Sequence, residues 1–421
     1  MESWNWVRRP VSILTAIGWF SVAARAGVIV VAQDGSGDAT QINQAIVQAS
    51  DGDTLLVRSG TYAPFVVPNM TLEIVADEGA SVAIHGYCAV TGLAADKTVL
   101  LSGLTAVAQL PVHYGLYLQG NQGSVRALDC TFGGYAAPEQ GCEDFGDTEP
   151  GGDAVYVDHC NDVALTRCTV LGGDASDSDS YLCLDTGGKG GHGVYASSSN
   201  VTLYDSGVTG GAGGTSGYGG FGGAGVWLVA SELFAAGRSV HGGDAGNTND
   251  VIWICGDGGP GVYADASSIA RILDVVLAGG EEGYPYGCGH DGAPFDGPGT
   301  LTSYSGTLRR LTADRVVREG SVTQLVFRGT PGDGVLLCRS SAADARHLAP
   351  FRGTLLLSPP LAVTFVGTIA ADGKLTVSLP PATLPAGIES ELLHFQSLFS
   401  NAIDGRLLSS PTHLLVVDSA F

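Results

Sequence analysis

The chain has 421 residues, 63 of them glycine, with no Gly-X-Y period, which excludes a collagen-like triple helix. Apolar residues make up 44%, enough for a substantial core, so the glycines belong to turns and loops around it. A formal charge of −22 repels nucleic acid and anionic membranes, and repels free polyuronates unless a divalent cation bridges them; neutral glycans and cations are the easier partners.

The first 26 residues read as a secretory signal: Arg8 and Arg9 precede a short apolar run over 11–24, and Ala24-Arg25-Ala26 fits an A-x-A cleavage site. The expected mature chain starts at Gly27 and is secreted, to the periplasm or the cell exterior of a bacterium; an uncleaved anchor is the alternative. No later run is long and apolar enough to span a bilayer. Export permits disulfides among the nine cysteines, and the lack of any C-x-x-C pair argues against zinc or thioredoxin chemistry.

Residues 28–62, "VIVVAQDGSGDATQINQAIVQASDGDTLLVRSGTY", read as a strand, a turn, a helix and a second strand. The helix is expected over about 40–49, with Ile42, Ala45, Ile46 and Ala49 on one face. This stretch resembles the entry of the pectin lyase-like right-handed parallel β-helix superfamily, pectinesterases in particular. Through about residue 305 the resemblance is architectural. It implies a helix that caps the first coil and protects its edge.

The superfamily holds pectate lyases, polygalacturonases, pectinesterases, epimerases and adhesins, so the resemblance leaves the activity open. The catalytic sets of its enzymes do not carry over. "EDFGD" (143–147) shares only Asp144-Phe145 with the pectinesterase segment. The Asn-Thr-Asp, Asp-Asp and Arg-x-Lys elements that accompany Gly-His-Gly in polygalacturonases are absent around Gly191-His192-Gly193, and the mature chain offers only Lys97, Lys189 and Lys374 as lysine bases. No catalytic residue is assigned.

From residue 115 a repeat dominates. "GLYL" (115–118), "AVYV" (154–157), "GVYA" (193–196), "GVWL" (225–228) and "GVYA" (261–264) recur at spacings of 39, 39, 32 and 36 residues. Each is followed by a second strand-like segment ending in Gly-Gly and a loop rich in Gly and Asp. Two or three short strands per irregular thirty-odd-residue unit suit one coil of a parallel β-helix; a β-propeller needs four per blade. If coils stack, the second and fourth positions of each short segment face the core and the third faces out. Tyr117, Tyr156, Tyr195, Trp227 and Tyr263 then form one column, a candidate platform for sugar rings. The alternative is that the loops fold over the column. Asn161 and Asn200, five residues past the aromatic, are expected at a turn where Asn tolerates the left-handed conformation. His192 falls in the slot occupied elsewhere by Tyr114, Asp153, Ala224 and Pro260, so the repeat accounts for the Gly-His-Gly triplet. Asp185, Lys189 and His192 share one loop and form a further acid–base candidate, set against an ordinary surface loop.

Asp174, Asp177 and Asp179 alternate in "GGDASDSDSY" (172–181), a spacing of short carboxylates that suits calcium; a solvated acidic surface is the alternative. The equivalent loop positions predict two bridges, Cys142–Cys183 and Cys255–Cys288, while Cys130 and Cys168 are expected to stack as small buried residues.

From about 306 the glycine loops end and short apolar strands broken by Pro and Gly predict a small C-terminal β-sandwich-like domain, 306–421. The reading is an all-β exported protein: a right-handed parallel β-helix over 27–305 with an N-terminal capping helix and this second domain. Its expected role is binding or structural at the cell exterior, with a polysaccharide or cell-surface component as partner. The alternative is a diverged carbohydrate-active enzyme, a polysaccharide lyase or glycoside hydrolase, with its site in the acidic loops.

Overall fold

The computed structural model describes residues 27–139, 149–177, 186–248, 255–284, 288–348 and 351–421. Three large sheets run side by side through the first three quarters of the chain. One has ten strands, from Val28–Val31 to Thr300–Tyr304; the other two have eight each. Every pairing in them is parallel, and each coil gives one strand to each sheet, as in Leu116–Gln119, Ser124–Leu128 and Thr131–Gly133. This is a stacked parallel β-helix. The register follows the sequence repeat: Tyr117 pairs with Tyr156, Tyr156 with Tyr195, Tyr195 with Trp227 and Trp227 with Tyr263. Like positions therefore form vertical rows.

The inward rows make one continuous core of Leu, Val, Ile and Ala, exemplified by Leu118, Val157, Ala196, Leu228 and Ala264 in one sheet. The helix Ile42–Gln48 sends Ile42, Ala45 and Ile46 into this core beside the first strands.

The corners explain why short repeats suffice. Between the ten-stranded sheet and the next strand, one residue per coil turns left-handed: Asp129, Arg167, Asp205 and Asp274, with φ of 51–56°. At the preceding corner His159, Ser198 and Ala230 do the same. The left-handed residue there lies two positions before Asn161 and Asn200, contrary to the expectation for them. Asn200 instead opens the strand Asn200–Tyr204, and its Nδ2 donates to Asn161 O at 3.0 Å. Inside this corner a buried ladder of Ser hydroxyls caps successive backbone amides: Ser199 Oγ accepts from Cys160 N–H, Ser231 Oγ from Ser199 N–H, and Ser268 Oγ from Ser231 N–H. These buried hydroxyls and amides are thus paired from coil to coil.

Beyond Tyr304 the chain leaves the stack and builds a three-stranded antiparallel sheet (Arg310–Thr312, Gln324–Arg328, Lys374–Ser378) and a larger sheet around Ser390–Asn401 and Thr412–Val417. These share a core containing Leu311, Phe327, Phe395, Phe399 and Leu414. They lie against the outer face of the ten-stranded sheet. There Leu56, Val75, Leu100 and Leu128 meet Leu415 and Val417, and further along Tyr204, Phe234 and Leu273 meet Leu308, Leu356 and Leu407. That sheet is buried on both faces, which is why its strands carry near-continuous apolar runs. Polar ties cross the contact: Arg310 pairs with Asp205 and Arg318 with Asp77. Tyr204 hydroxyl donates to Thr354 O and accepts from Thr354 N–H, at 3.0 and 2.9 Å. Tyr204→Phe leaves that buried amide without its acceptor, and chemical denaturation should register a loss of about 1–2 kcal/mol.

Candidate functional site

The outward aromatic column exists as a ladder on one eight-stranded sheet. Tyr117 and Tyr156 stack at 5.5 Å between centroids with planes 12° apart, Tyr156 and Tyr195 at 5.1 Å and 9°, Trp227 and Tyr263 at 3.8 Å and 15°. The loops leave the rings half-exposed. Strand spacing sets this geometry, since side chains one coil apart meet face to face. The ring faces are therefore turned to one another along the stack, and the column offers solvent its edges and hydroxyls. Tyr114, from the slot before the repeat glycine, packs on both Tyr117 and Tyr156.

His192 occupies the same slot two coils further on. Its ring lies 6.2 Å from Tyr195 and 4.9 Å from Trp227, so it fills the ladder between them. Its Nδ1 accepts from Ala224 N–H at 2.9 Å, which places the ring proton on Nε2. Lys189 Nζ sits 3.3 Å from that Nε2 and 4.8 Å from the Trp227 ring centre. Two donors would face each other if Lys189 stayed charged. Burial, and then Lys189, push the His192 pKa down to about 3, and desolvation lowers that of Lys189 although solvent reaches its side chain. Asp153, which the repeat places in the slot without assigning it a role, accepts from His192 N–H at 2.8 Å, and burial pushes its carboxyl up to about 6. Of the acid–base candidates, Lys189 and His192 come together and Asp153 joins them; Asp185 lies outside the described residues.

Beside the ladder stands a structure that the sequence repeat alone does not announce. The loops leave through pairs of glycines and, but for the last, which returns through Gly292 alone, return through pairs as well; their arms interleave in one backbone column. Gly173 N–H donates to Gly152 O, Gly191 to Gly173, Gly211 to Gly191, Gly223 to Gly211 and Gly243 to Gly223. The column continues through Gly259, Gly280 and Gly292, with every bond 2.8–2.9 Å. A Cβ on Gly191 would overlap the carbonyl of Gly152, and one on Gly211 the carbonyl of Gly173. The signal for it in the sequence is a second Gly-Gly pair just before the last four aromatic segments, at 151–152, 190–191, 222–223 and 258–259.

The acidic loops border this layer. Asp174 accepts from Ala212 N–H at 2.7 Å and Asp177 from Thr215 N–H at 2.6 Å, each reaching the following coil; Asp179 lies outside the described residues. Asp244 and Asp257 bond Glu281 and His290 amides in the same way. Among the described residues no three His, Cys, Asp or Glu side chains converge as metal ligands. Cys255 and Cys288 are bonded, with Cα atoms 5.3 Å apart, and tie two adjacent loops. Cys142 and Cys183 lie outside the described residues. Cys130 and Cys168 are buried and not disulfide-bonded.

No protein-family model matches the chain, and no curated protein is significantly similar to it.

Proposed function

We propose that this chain is an exported, right-handed parallel β-helix protein of pectin lyase-like architecture, capped by its N-terminal helix and braced by a C-terminal β-sandwich-like domain. Its role is binding or structural, at the cell exterior, with a carbohydrate as ligand. The observation that carries this reading is the aromatic ladder: five half-exposed rings from five coils, held in register by a hydrogen-bonded scaffold. Ring edges and a row of Tyr hydroxyls, flanked by Lys189 and Asp153, suit hydroxyl-rich glycans that recognise by hydrogen bonds and edge contacts. Such a surface is preorganised, so little ordering entropy opposes binding.

The test is retention on a panel of immobilised neutral glycans, with and without calcium. Wild-type protein is expected to be retained without releasing reducing ends or unsaturated products. Trp227→Ala together with Tyr195→Ala should weaken retention at least about tenfold, the scale of losing well-packed aromatic contacts. Unchanged retention would overturn the ladder as the contact surface.

A second reading, a diverged carbohydrate-active enzyme, is favoured by one observation: Asp153, Lys189 and His192 meet beside the ladder with shifted proton affinities. Product release in the same assay, lost in Lys189→Ala, would favour it.

A further inference from the structure

The two ends of the stack differ. At the start, Ile42, Ala45 and Ile46 of the helix close the core. At the other end three terminal strands, Val276–Ala278, Phe295–Asp296 and Thr300–Tyr304, are each the last of their sheet, with no strand beyond them among the described residues. The C-terminal region could have covered this end but docks along the side of the ten-stranded sheet. Thr300, Leu301, Thr302 and Ser303 are all exposed, as is Val276. The registers Ala270–Leu301 and Val262–Phe295 put Leu301 and Phe295 below inward core positions, where the apolar column runs out. Unpaired strand edges are ordinarily blunted by Lys, Pro, a bulge or a covering element. Thr300–Tyr304 and Val276–Ala278 contain no charged residue and no proline, in a chain of net charge −22; only the two-residue strand Phe295–Asp296 carries a charge, and it lies between Pro294 and Pro298.

We infer that this end is an interface with a second copy of the chain, joined tail to tail. The helix at the first end rules out head-to-tail stacking, which would need a bare first coil. A two-fold rotation instead brings one open end onto the other and closes the assembly at two subunits. The strand Thr300–Tyr304 then runs antiparallel to its own copy about an axis through Thr302, with Leu301 opposite Ser303 of the second copy. The uncharged strand Thr300–Tyr304 meets its copy at the axis, Asp296, the one charged residue of the three terminal strands, lies away from that axis, and the exposed Leu301 and half-buried Phe295 leave water.

Sedimentation or light scattering on the mature protein should show a dimer. Thr302→Lys places two ammonium groups opposite each other at the axis and should raise the dimer dissociation constant about tenfold or more, with an unchanged circular dichroism spectrum. Phe365→Lys, on a different exposed strand edge at Ala362–Thr368, should leave the dimer intact. Thr302→Cys should cross-link across the axis under mild oxidation, which tests the geometry even if the lysine variant fails to fold. A wild-type monomer at every concentration, a dimer broken by Phe365→Lys rather than Thr302→Lys, or no cross-link at position 302 would each overturn the inference.

Discussion

Gly211→Val is expected to be among the most damaging single substitutions in the molecule, although Gly211 lies outside the β-helix core. The residue sits in the middle of the glycine column, donating to Gly191 O and accepting from Gly223 N–H. A Cβ at this position overlaps the backbone of Gly173, so the neighbour in contact is a carbonyl with no rotamer to change. Overpacking ordinarily costs about 1–3 kcal/mol because side chains give way. Here relief requires two loop arms to part, breaking hydrogen bonds on both sides, so a loss of about 3 kcal/mol or more is expected. Denaturation midpoints measure it. Gly35→Ala is the control, because its Cβ meets nothing within 4 Å; its φ of 80° limits the cost to local strain. Hydrogen exchange should localise the damage: amides of Gly191 to Gly243 should lose protection before those of the strands. Equal midpoints for wild type and Gly211→Val would mean that the glycine layer does not contribute to stability.

Acidification should loosen the contact between the C-terminal sheet and the β-helix. His394 and His413 pair across adjacent strands with their Nδ1 atoms 2.7 Å apart, an arrangement that needs one bare nitrogen. Burial, reinforced by Arg126, pushes the His394 pKa down to about 3; burial, then His394, Arg126 and Arg167, holds His413 well below its ordinary value. The unfolded chain binds these protons near pH 6.5 and the folded chain does not. The stability they confer is therefore complete above about pH 6.5 and falls as the pH drops toward the folded values. His394 removes about 1.4 kcal/mol per pH unit over that window, about 3 kcal/mol at pH 4.5, and His413 acts in the same direction. Two carboxyls act in the opposite sense: burial raises Glu73 to about 7 and Asp153 to about 6, so the folded state takes up protons there first. The informative quantity is the difference between wild type and His394→Asn with His413→Asn. From pH about 7 to about 4.5 the wild type should lose more stability than the double variant, by several kcal/mol. Parallel stability curves would remove the histidine pair as the acid-sensitive element.

The coil architecture is legible in the sequence because one signal repeats. Five copies of the aromatic segment define the register on their own, and Tyr117 through Tyr263 pair as that alignment requires. The Cys255–Cys288 bond follows from the same alignment. What stays hidden is set by contacts between segments far apart in sequence. A glycine pair looks alike whether it makes a flexible loop or a close-packed backbone layer, and only the neighbouring arm at Gly173 or Gly191 distinguishes them. The orientation of the rings is likewise invisible: alternation puts Tyr156 outward, but stacking turns its face toward Tyr117 and Tyr195. The left-handed corners fall elsewhere than expected because Asn161 and Asn200 carry the residue preference, whereas His159, Ser198 and Ala230 adopt the conformation. Asp153 gives no sign of its role because its partner, His192, comes from the next coil.

The two extremities of the described chain meet. Val28 N–H donates to Glu389 Oε2, and Val28 and Leu56 pack with Leu415 and Val417. A polypeptide emerging from a ribosome or a translocon can stack coils one by one, but the outermost flank of its first coils stays uncovered until the closing strands arrive. Arrival of the strands Ser390–Asn401 and Thr412–Val417 is thus what covers that flank. A chain terminated at 305 would leave Leu56, Val75, Leu100, Leu128, Tyr204, Phe234 and Leu273 bare on the outer face of the ten-stranded sheet, inviting aggregation and proteolysis, so quality control would act on premature termination more sharply than on most internal substitutions.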